Sequence, residues 1–469
     1  MAVESGIKDD APHWLEASVL SCAHRLPGFK TASSDRILVA VRGAAWTAAG
    51  YGGSQVLRFV STLVLARQLL APEAFGLVAL VNVFLTGLDM LSDLGIGMDV
   101  VQHRRGDDPA FINTAFLIQV GRGLVLWVIA MALAGPFALL YHQPQVRLLA
   151  SVGALSVALR GVASGSVWLL TRHVQLKRLA WLNISGDAVG LLVSVVWAVV
   201  SPTAWALVAG RLAMTLAYTI GSHLIARNRV SLTWDKLAAR DLFTFGTGIF
   251  LSSATYFLCG EGERLVIAKF ITVAELGCLS LALTLSAAPA QAIGQIAGQV
   301  FFPLLSQSIR EDRSKAARHF AASRTVFSTL AVLLGVGFIA YSNRLVALLL
   351  PPKYAMTGFM LQLLGFRSAQ QVFASPTSYL ILACGDSKRG AIANTARTVS
   401  MFAGIWIGFT KYGLHGAISA MAFSYVAAYL ILVPGVAKNL RPVLGLELRS
   451  YALFAIAMVL ASILPWPGR

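Results

Sequence analysis

LVLARQLLAPEAFGLVALV, residues 63–81, returns 202 residues later as LVIAKFITVAELGCLSLAL, residues 265–283. Leu63, Val64, Ala66 and Arg67 align with Leu265, Val266, Ala268 and Lys269. Glu73 then meets Glu275, and one deleted residue brings Gly76 onto Gly277. Each copy reads as the end of one apolar run, a basic residue, an acid–glycine turn and the start of the next run. Six apolar runs separate the copies. An even number of crossings leaves both copies in the same orientation, so the repeat is parallel. The expected architecture is two pseudo-symmetric six-helix lobes around a central cavity, 43–226 and 243–437. The segment 227–242 links them on one membrane face. A tail, 1–42, precedes the lobes, and 438–469 follows with a short extra helix.

Composition fixes the class. Mean hydropathy is +0.71 and only 13% of residues are charged, about half the share of a soluble domain. Runs of the roughly 20 apolar residues that cross a bilayer core recur near 44–66, 76–99, 113–138, 148–170, 180–200, 203–226, 246–269, 277–303, 324–349, 357–383, 390–410, 413–437 and 451–466. The last is the shortest. The chain is an all-α polytopic membrane protein; a β-barrel would show short alternating segments instead. No cleavable leader is expected before the first span. In the tail, Leu15, Val19, Cys22 and Leu26 fall at helical spacing, which suits either a surface helix or a disordered segment. Cys22, Cys259, Cys278 and Cys384 have no metal-ligand or paired spacing and read as small hydrophobes.

The charge of +17 invites a nucleic-acid reading, but its distribution argues otherwise. With the N-terminus cytoplasmic, inward-facing segments carry 24 Lys and Arg and outward loops carry 7. That is the positive-inside pattern of a multi-pass membrane protein. Nucleic acid is not needed as a partner.

Seven of the 38 basic residues remain inside spans, and all are arginine: Arg58, Arg122, Arg160, Arg211, Arg264, Arg367 and Arg397. Each costs about 2.5–3.5 kcal/mol at a helix centre facing lipid, so most must face a polar interior. The intramembrane acids are Asp89, Asp93, Asp187, Glu261 and Glu263. They are candidates for coupling sites or for holding arginines. Glu261 and Arg264 stand at i, i+3 and can pair on one helix, while Glu263 points elsewhere. Five acids do not neutralise seven arginines. Guanidinium stays charged when desolvated and binds phosphate through a bidentate fork, so an anionic, phosphate-bearing substrate is expected. Gln291, Gln295 and Gln299 line one face of span eight. They suit glycan hydroxyls or hydrogen bonds to neighbouring helices. Walker, dinucleotide-binding and zinc-protease motifs are missing, and the histidines lack ligand spacing. No cofactor, metal or catalytic residue is expected.

LARQLLAPEAFGLVALVNVFLTGLDMLSDLGIGMDVVQHRR (65–105), GERLVIAKFITVAELGCLSLA (262–282) and FFPLLSQ (301–307) resemble the polysaccharide and lipid-linked oligosaccharide (O-antigen-type) flippases. These belong to the multidrug/oligosaccharidyl-lipid/polysaccharide exporter superfamily. The resemblance covers about 45–440. It implies a cationic cavity between two lobes and an undecaprenyl-pyrophosphate-linked glycan moved outward by alternating access. The glycan would serve surface lipopolysaccharide or exopolysaccharide, with a polymerase and a chain-length regulator as partners. Two departures stand out: Glu263 replaces the expected Asp, and a thirteenth span is odd in a family of twelve or fourteen. Alternatives are a cation-coupled multidrug exporter, which needs an acidic cavity, and a polymerase or ligase, which needs a large outer loop. A non-catalytic component of an assembly complex is the third.

Overall fold

A computed structural model describes residues 34–226, 231 and 233–464. The tail's Leu15, Val19, Cys22 and Leu26 lie outside the described residues. Every regular element is helical among those residues. In order they are α1 (Ser34–Val64), α2 (Pro72–Met90), α3 (Ile96–Gln102), α4 (Pro109–Leu140), α5 (Pro144–Gly153), α6 (Leu155–Gly161), α7 (Ser166–Arg172), α8 (Leu176–Val200) and α9 (Trp205–Ile225). There follow α10 (Lys236–Gly260), α11 (Gly262–Ile267), α12 (Val273–Ile296), α13 (Phe302–Glu311), α14 (Arg313–Leu349), α15 (Met356–Ala383), α16 (Ser387–Asn439) and α17 (Leu444–Ile463).

Helices occupy all thirteen expected positions. Seven are long and apolar enough to cross a membrane, and α5 to α7 form an eighth if the 63° bend before Ser166 is taken as one broken span. α9 is less apolar because it carries Arg211 and His223. α16 runs 53 residues, about 80 Å at 1.5 Å per residue, more than twice a bilayer core. Gly413, at φ 59° and ψ −147°, breaks it into the two expected spans, a backbone state open to glycine. The seventh span is also broken. α10 stops at Gly260 and α11 starts at Gly262, with Glu261 between them.

Four helices that start on the basic face are capped by aspartate. Asp108, Asp235, Asp312 and Asp386 accept from the first-turn amides of α4, α10, α14 and α16. A carboxylate at a helix N-terminus satisfies orphan N–H groups and complements the dipole. Arg105 Nη2 bridges two of these caps, 2.7 Å from Asp108 and 2.6 Å from Asp235. Its guanidinium holds the Asp235 carboxyl below the usual carboxylate range.

The two repeat copies touch each other. α2 and α12 cross at their N-termini, where a methyl group on Gly76 would lie 1.9 Å from the Val273 carbonyl oxygen. Across the same contact, a methyl on Gly277 would lie 1.9 Å from the Pro72 carbonyl oxygen. Gly76 and Gly277 stand 201 residues apart, and at that same offset Pro72 equates with Val273. The contact is thus reciprocal, as a two-fold axis requires. Glycine lets the two backbones meet. One apolar cluster continues across the crossing, from Leu65, Leu70 and Phe75 to Leu279, Tyr354, Met360 and Ile418.

Two further hydrogen-bond groups close this end, the outer end of the expected topology. Lys353 Nζ and Tyr354 Oη both donate to the Leu70 carbonyl, at 2.6 and 3.0 Å. In the opposite sense, Tyr141 Oη donates to the Leu265 carbonyl at 3.0 Å. Each tyrosine follows the third or ends the loop before the fourth long helix of its half, and each reaches the end of the other half's first span. Removing both phenol hydroxyls (Tyr141→Phe with Tyr354→Phe) should cost the closed end about 2 kcal/mol, roughly thirtyfold in population. A cysteine at Thr284 should then react several-fold faster with an impermeant thiol reagent added outside. An unchanged rate would show that the bonds do not hold this end shut.

Candidate functional site

Close packing of α8 on α9 builds one wall of the site. Gly186, Gly190 and Ser194 recur along α8, and Gly210 faces them from α9. A methyl on Gly210 would strike Ser194 Oγ, and one on Gly190 would lie 2.9 Å from the Gly210 carbonyl oxygen. Small residues at helical spacing permit such contact. Asp187 and Arg211, each one residue beyond a contact glycine, are carried beside the seam.

They open onto a cavity of about 530 Å³ inside the first half of the chain. α1 supplies Arg58, α2 supplies Asn82 and Asp89, α6 supplies Arg160, α8 supplies Asp187 and α9 supplies Arg211. Thr284 of α12 is the lining residue from the other half. Three arginines and two aspartates therefore share the walls. Arg122, behind the wall, reaches Asp89 at 2.7 Å and also bonds the Asp89 and Ser92 carbonyls. The Asp89 charge is thus already matched by a residue outside the cavity, which leaves the interior electropositive.

The arginines are held differently. Arg58 Nε contacts Asp187 Oδ1 at 3.2 Å, with the arginine side chain 63% exposed and the aspartate 5%. Arg211 is fixed by neutral partners: Nη1 donates to Asn82 Oδ1 at 2.6 Å, and Nε to Ser156 Oγ at 3.2 Å. Arg160 is exposed to the cavity. No hydrogen bond or ion pair holds its side chain among the described residues.

The remaining sequence candidates form separate groups. Arg264 pairs with Glu261 on the turn that breaks the seventh span. Glu263 points away and accepts from Arg367 Nη1 at 2.6 Å, with both side chains largely buried. Arg397 meets no carboxylate among the described residues; it donates to the Cys259 carbonyl and lies 4.7 Å over the Tyr425 ring. Asp93 was a candidate for a coupling site or for holding an arginine, and no arginine meets it among the described residues. Instead it accepts from the Gly95 amide at 2.9 Å and from Ser253 Oγ at 3.5 Å. It closes the turn between α2 and α3, where its short side chain accepts from the backbone two residues on, at the left-handed Gly95. Gln291 accepts from Gln55 Nε2 at 3.1 Å and Tyr51 Oη at 3.3 Å, so it ties α12 to α1. Gln295 is exposed. The Gln299 side chain lies outside the described residues.

Arg324, one of the 24 cations that the sequence places in the inward-facing segments, is the main correction. It is fully buried and contacts Glu447 Oε2 at 3.1 Å. Its guanidinium stacks 3.6 Å over Phe373 and donates to the Phe373 carbonyl at 2.6 Å. Glu447, in the first turn of α17, also accepts from Thr377 Oγ1 at 2.6 Å and Tyr429 Oη at 2.7 Å.

A family profile described as a polysaccharide biosynthesis protein matches residues 64–357. The chain belongs to this family. Its relatives include the succinoglycan biosynthesis transport protein ExoT of Rhizobium meliloti, 21% identical over 75% of this chain and 70% of the relative. The lipopolysaccharide biosynthesis protein WzxC of Escherichia coli is 23% identical over 88% of this chain and 83% of the relative. Among solved structures, the lipid II flippase MurJ in an inward closed conformation aligns with a TM-score of 0.63 at 14% identity, covering 91% of this chain and 98% of that one. An inward-facing multidrug resistance MATE family transporter aligns at 0.62 and 13%, covering 84% and 96%. These two likenesses concern the fold. This member of the polysaccharide biosynthesis family is a multi-pass membrane protein with the helical architecture of those transporters.

Proposed function

We propose that the protein flips a lipid-linked oligosaccharide, joined to its polyprenol through pyrophosphate, from the cytoplasmic to the outer leaflet of a bacterial inner membrane. It does so for surface polysaccharide synthesis, as a transporter without a catalytic step. The reading is supported above all by the cavity of Arg58, Arg160 and Arg211 in a chain of this family. A cavity wall with more guanidinium than carboxylate attracts phosphate and repels organic cations, which counts against multidrug export. Arginine at membrane depth suits phosphate through its fork of donors.

In this reading 43–226 and 243–437 rock against each other about the Gly76–Gly277 crossing. The tail 1–42 and the linker 227–242 face the cytoplasm, and 438–469 docks the thirteenth span onto the second lobe. Undecaprenol is the expected carrier, and a polymerase and a chain-length regulator would receive the glycan outside.

Replacement of each arginine by Ala and by Lys tests this. Arg160→Ala and Arg211→Ala should lower surface polysaccharide tenfold or more at equal protein level, and Arg160→Lys should restore part of it. If no arginine change lowers export, the phosphate cavity is wrong.

A further inference from the structure

Arg58 and Asp187 form an unequal pair. The carboxylate is buried on α8, beside the glycine seam that fixes α8 to α9, while the guanidinium stands mostly exposed on α1. Only Nε of Arg58 meets Asp187, at 3.2 Å. The bidentate fork that arginine makes with a carboxylate is not used, and both Nη groups remain for a second acceptor. Such an acceptor would share the guanidinium with a fixed anion a few ångströms away. Like charges so placed weaken each other's hold in a poorly solvated site. Arg160 has no such competitor, and Arg211 is held by the neutral Asn82 and Ser156.

We propose that Asp187 is a release residue, which competes with the substrate's phosphate for Arg58 while Arg160 makes the primary phosphate contact. The proposal rests on the pyrophosphate reading above. It divides the cavity into a capture cation, a fixed cation and a shared one. A site made only of free arginines would bind phosphate tightly and let go slowly. A buried aspartate at the shared position keeps the bound state shallow enough for turnover. Asp187 is accordingly a positioning residue, acting through Arg58.

The test uses the full-length protein in lipid nanodiscs, with farnesyl pyrophosphate as the probe and inorganic pyrophosphate as a second arm. Asp187→Asn should bind either probe about tenfold tighter than wild type, yet support less glycan export in cells. A purely structural aspartate would not give tighter binding. In an Arg58→Ala background the same change should have no effect on affinity, since the coupling runs through that side chain. Arg160→Ala should weaken binding at least tenfold. Arg58→Lys serves if Asp187→Asn fails to fold. One ammonium cannot hold the aspartate and present a fork, so affinity should fall although the charge is kept. Equal affinity of wild type and Asp187→Asn, or tightening that persists without Arg58, overturns the proposal; so does wild-type affinity in Arg58→Lys. Failure of the wild type to bind either probe instead overturns the pyrophosphate reading itself.

Discussion

Gly277→Val is expected to abolish surface polysaccharide export, and Gly76→Val to do the same. In each case the added side chain would begin 1.9 Å from a backbone carbonyl oxygen of the other half. A carbonyl in a helix's first turn cannot swing aside as a flexible side chain would, so α2 and α12 must separate. Overpacking of this kind typically costs 1–3 kcal/mol, sometimes more. Here the cost falls on a contact to which both repeat copies contribute their backbones. Even alanine should be poorly tolerated at either site. Once the helices have separated for one methyl, the second meets open space, so Gly76→Ala with Gly277→Ala should cost clearly less than the sum of the two. Gly52 and Gly294 have nothing within 4 Å of an added methyl. Alanine there should leave export near wild type, which controls for a general intolerance of glycine loss. Export assays at matched protein level, with thermal unfolding in detergent, check all of these. Normal export by Gly277→Val would show that the crossing is not a working contact.

Arg324→Ala and Glu447→Ala should each destabilise the protein by about 3–5 kcal/mol, the usual cost of leaving one partner of a buried ion pair uncompensated. Both side chains are fully buried. Removing Glu447 strands a guanidinium whose remaining contacts are the Phe373 ring and one carbonyl. Removing Arg324 strands a carboxylate with two hydroxyl donors. Because Glu447 belongs to α17, either loss should release the last helix first, seen as early proteolysis C-terminal to Asn439. The double change Arg324→Met with Glu447→Leu should recover much of the stability, since packed apolar groups often replace a buried pair without loss. Thermal unfolding of the purified variants measures both effects. Single variants as stable as wild type would mean that α17 is held by its apolar face alone.

The parts of this architecture that rest on repetition along the chain were legible in the sequence. All thirteen helical positions follow from apolar runs, and the equivalence of Gly76 and Gly277 from the repeat, although not their contact. The Glu261–Arg264 pair follows from helical spacing, and the divergence of Glu263 from the same geometry. What could not be read was which helices meet side by side. Asn82 and Arg211 lie 129 residues apart, and nothing in either neighbourhood announces the other. Arg324 was misplaced for a related reason. Hydropathy rises only after residue 324, but α14 is one helix from Arg313 onward, and one face of its polar start, at Ala316, Phe320 and Arg324, is buried. Gln291 met other side chains of α1 where a glycan-facing stripe was one of two readings. Asp93 was read for its charge, whereas its position before a left-handed glycine decided its role.

The central claim is that an arginine-lined cavity moves a pyrophosphate-linked glycan. Reconstitution into proteoliposomes with a fluorescent polyprenyl-pyrophosphate oligosaccharide tests it most directly, with flipping followed by quenching of the outer leaflet. The account predicts that wild type flips the lipid and that Arg58, Arg160 and Arg211 changed together to glutamine reduce flipping to the protein-free rate. Wild-type flipping by the triple variant would contradict it.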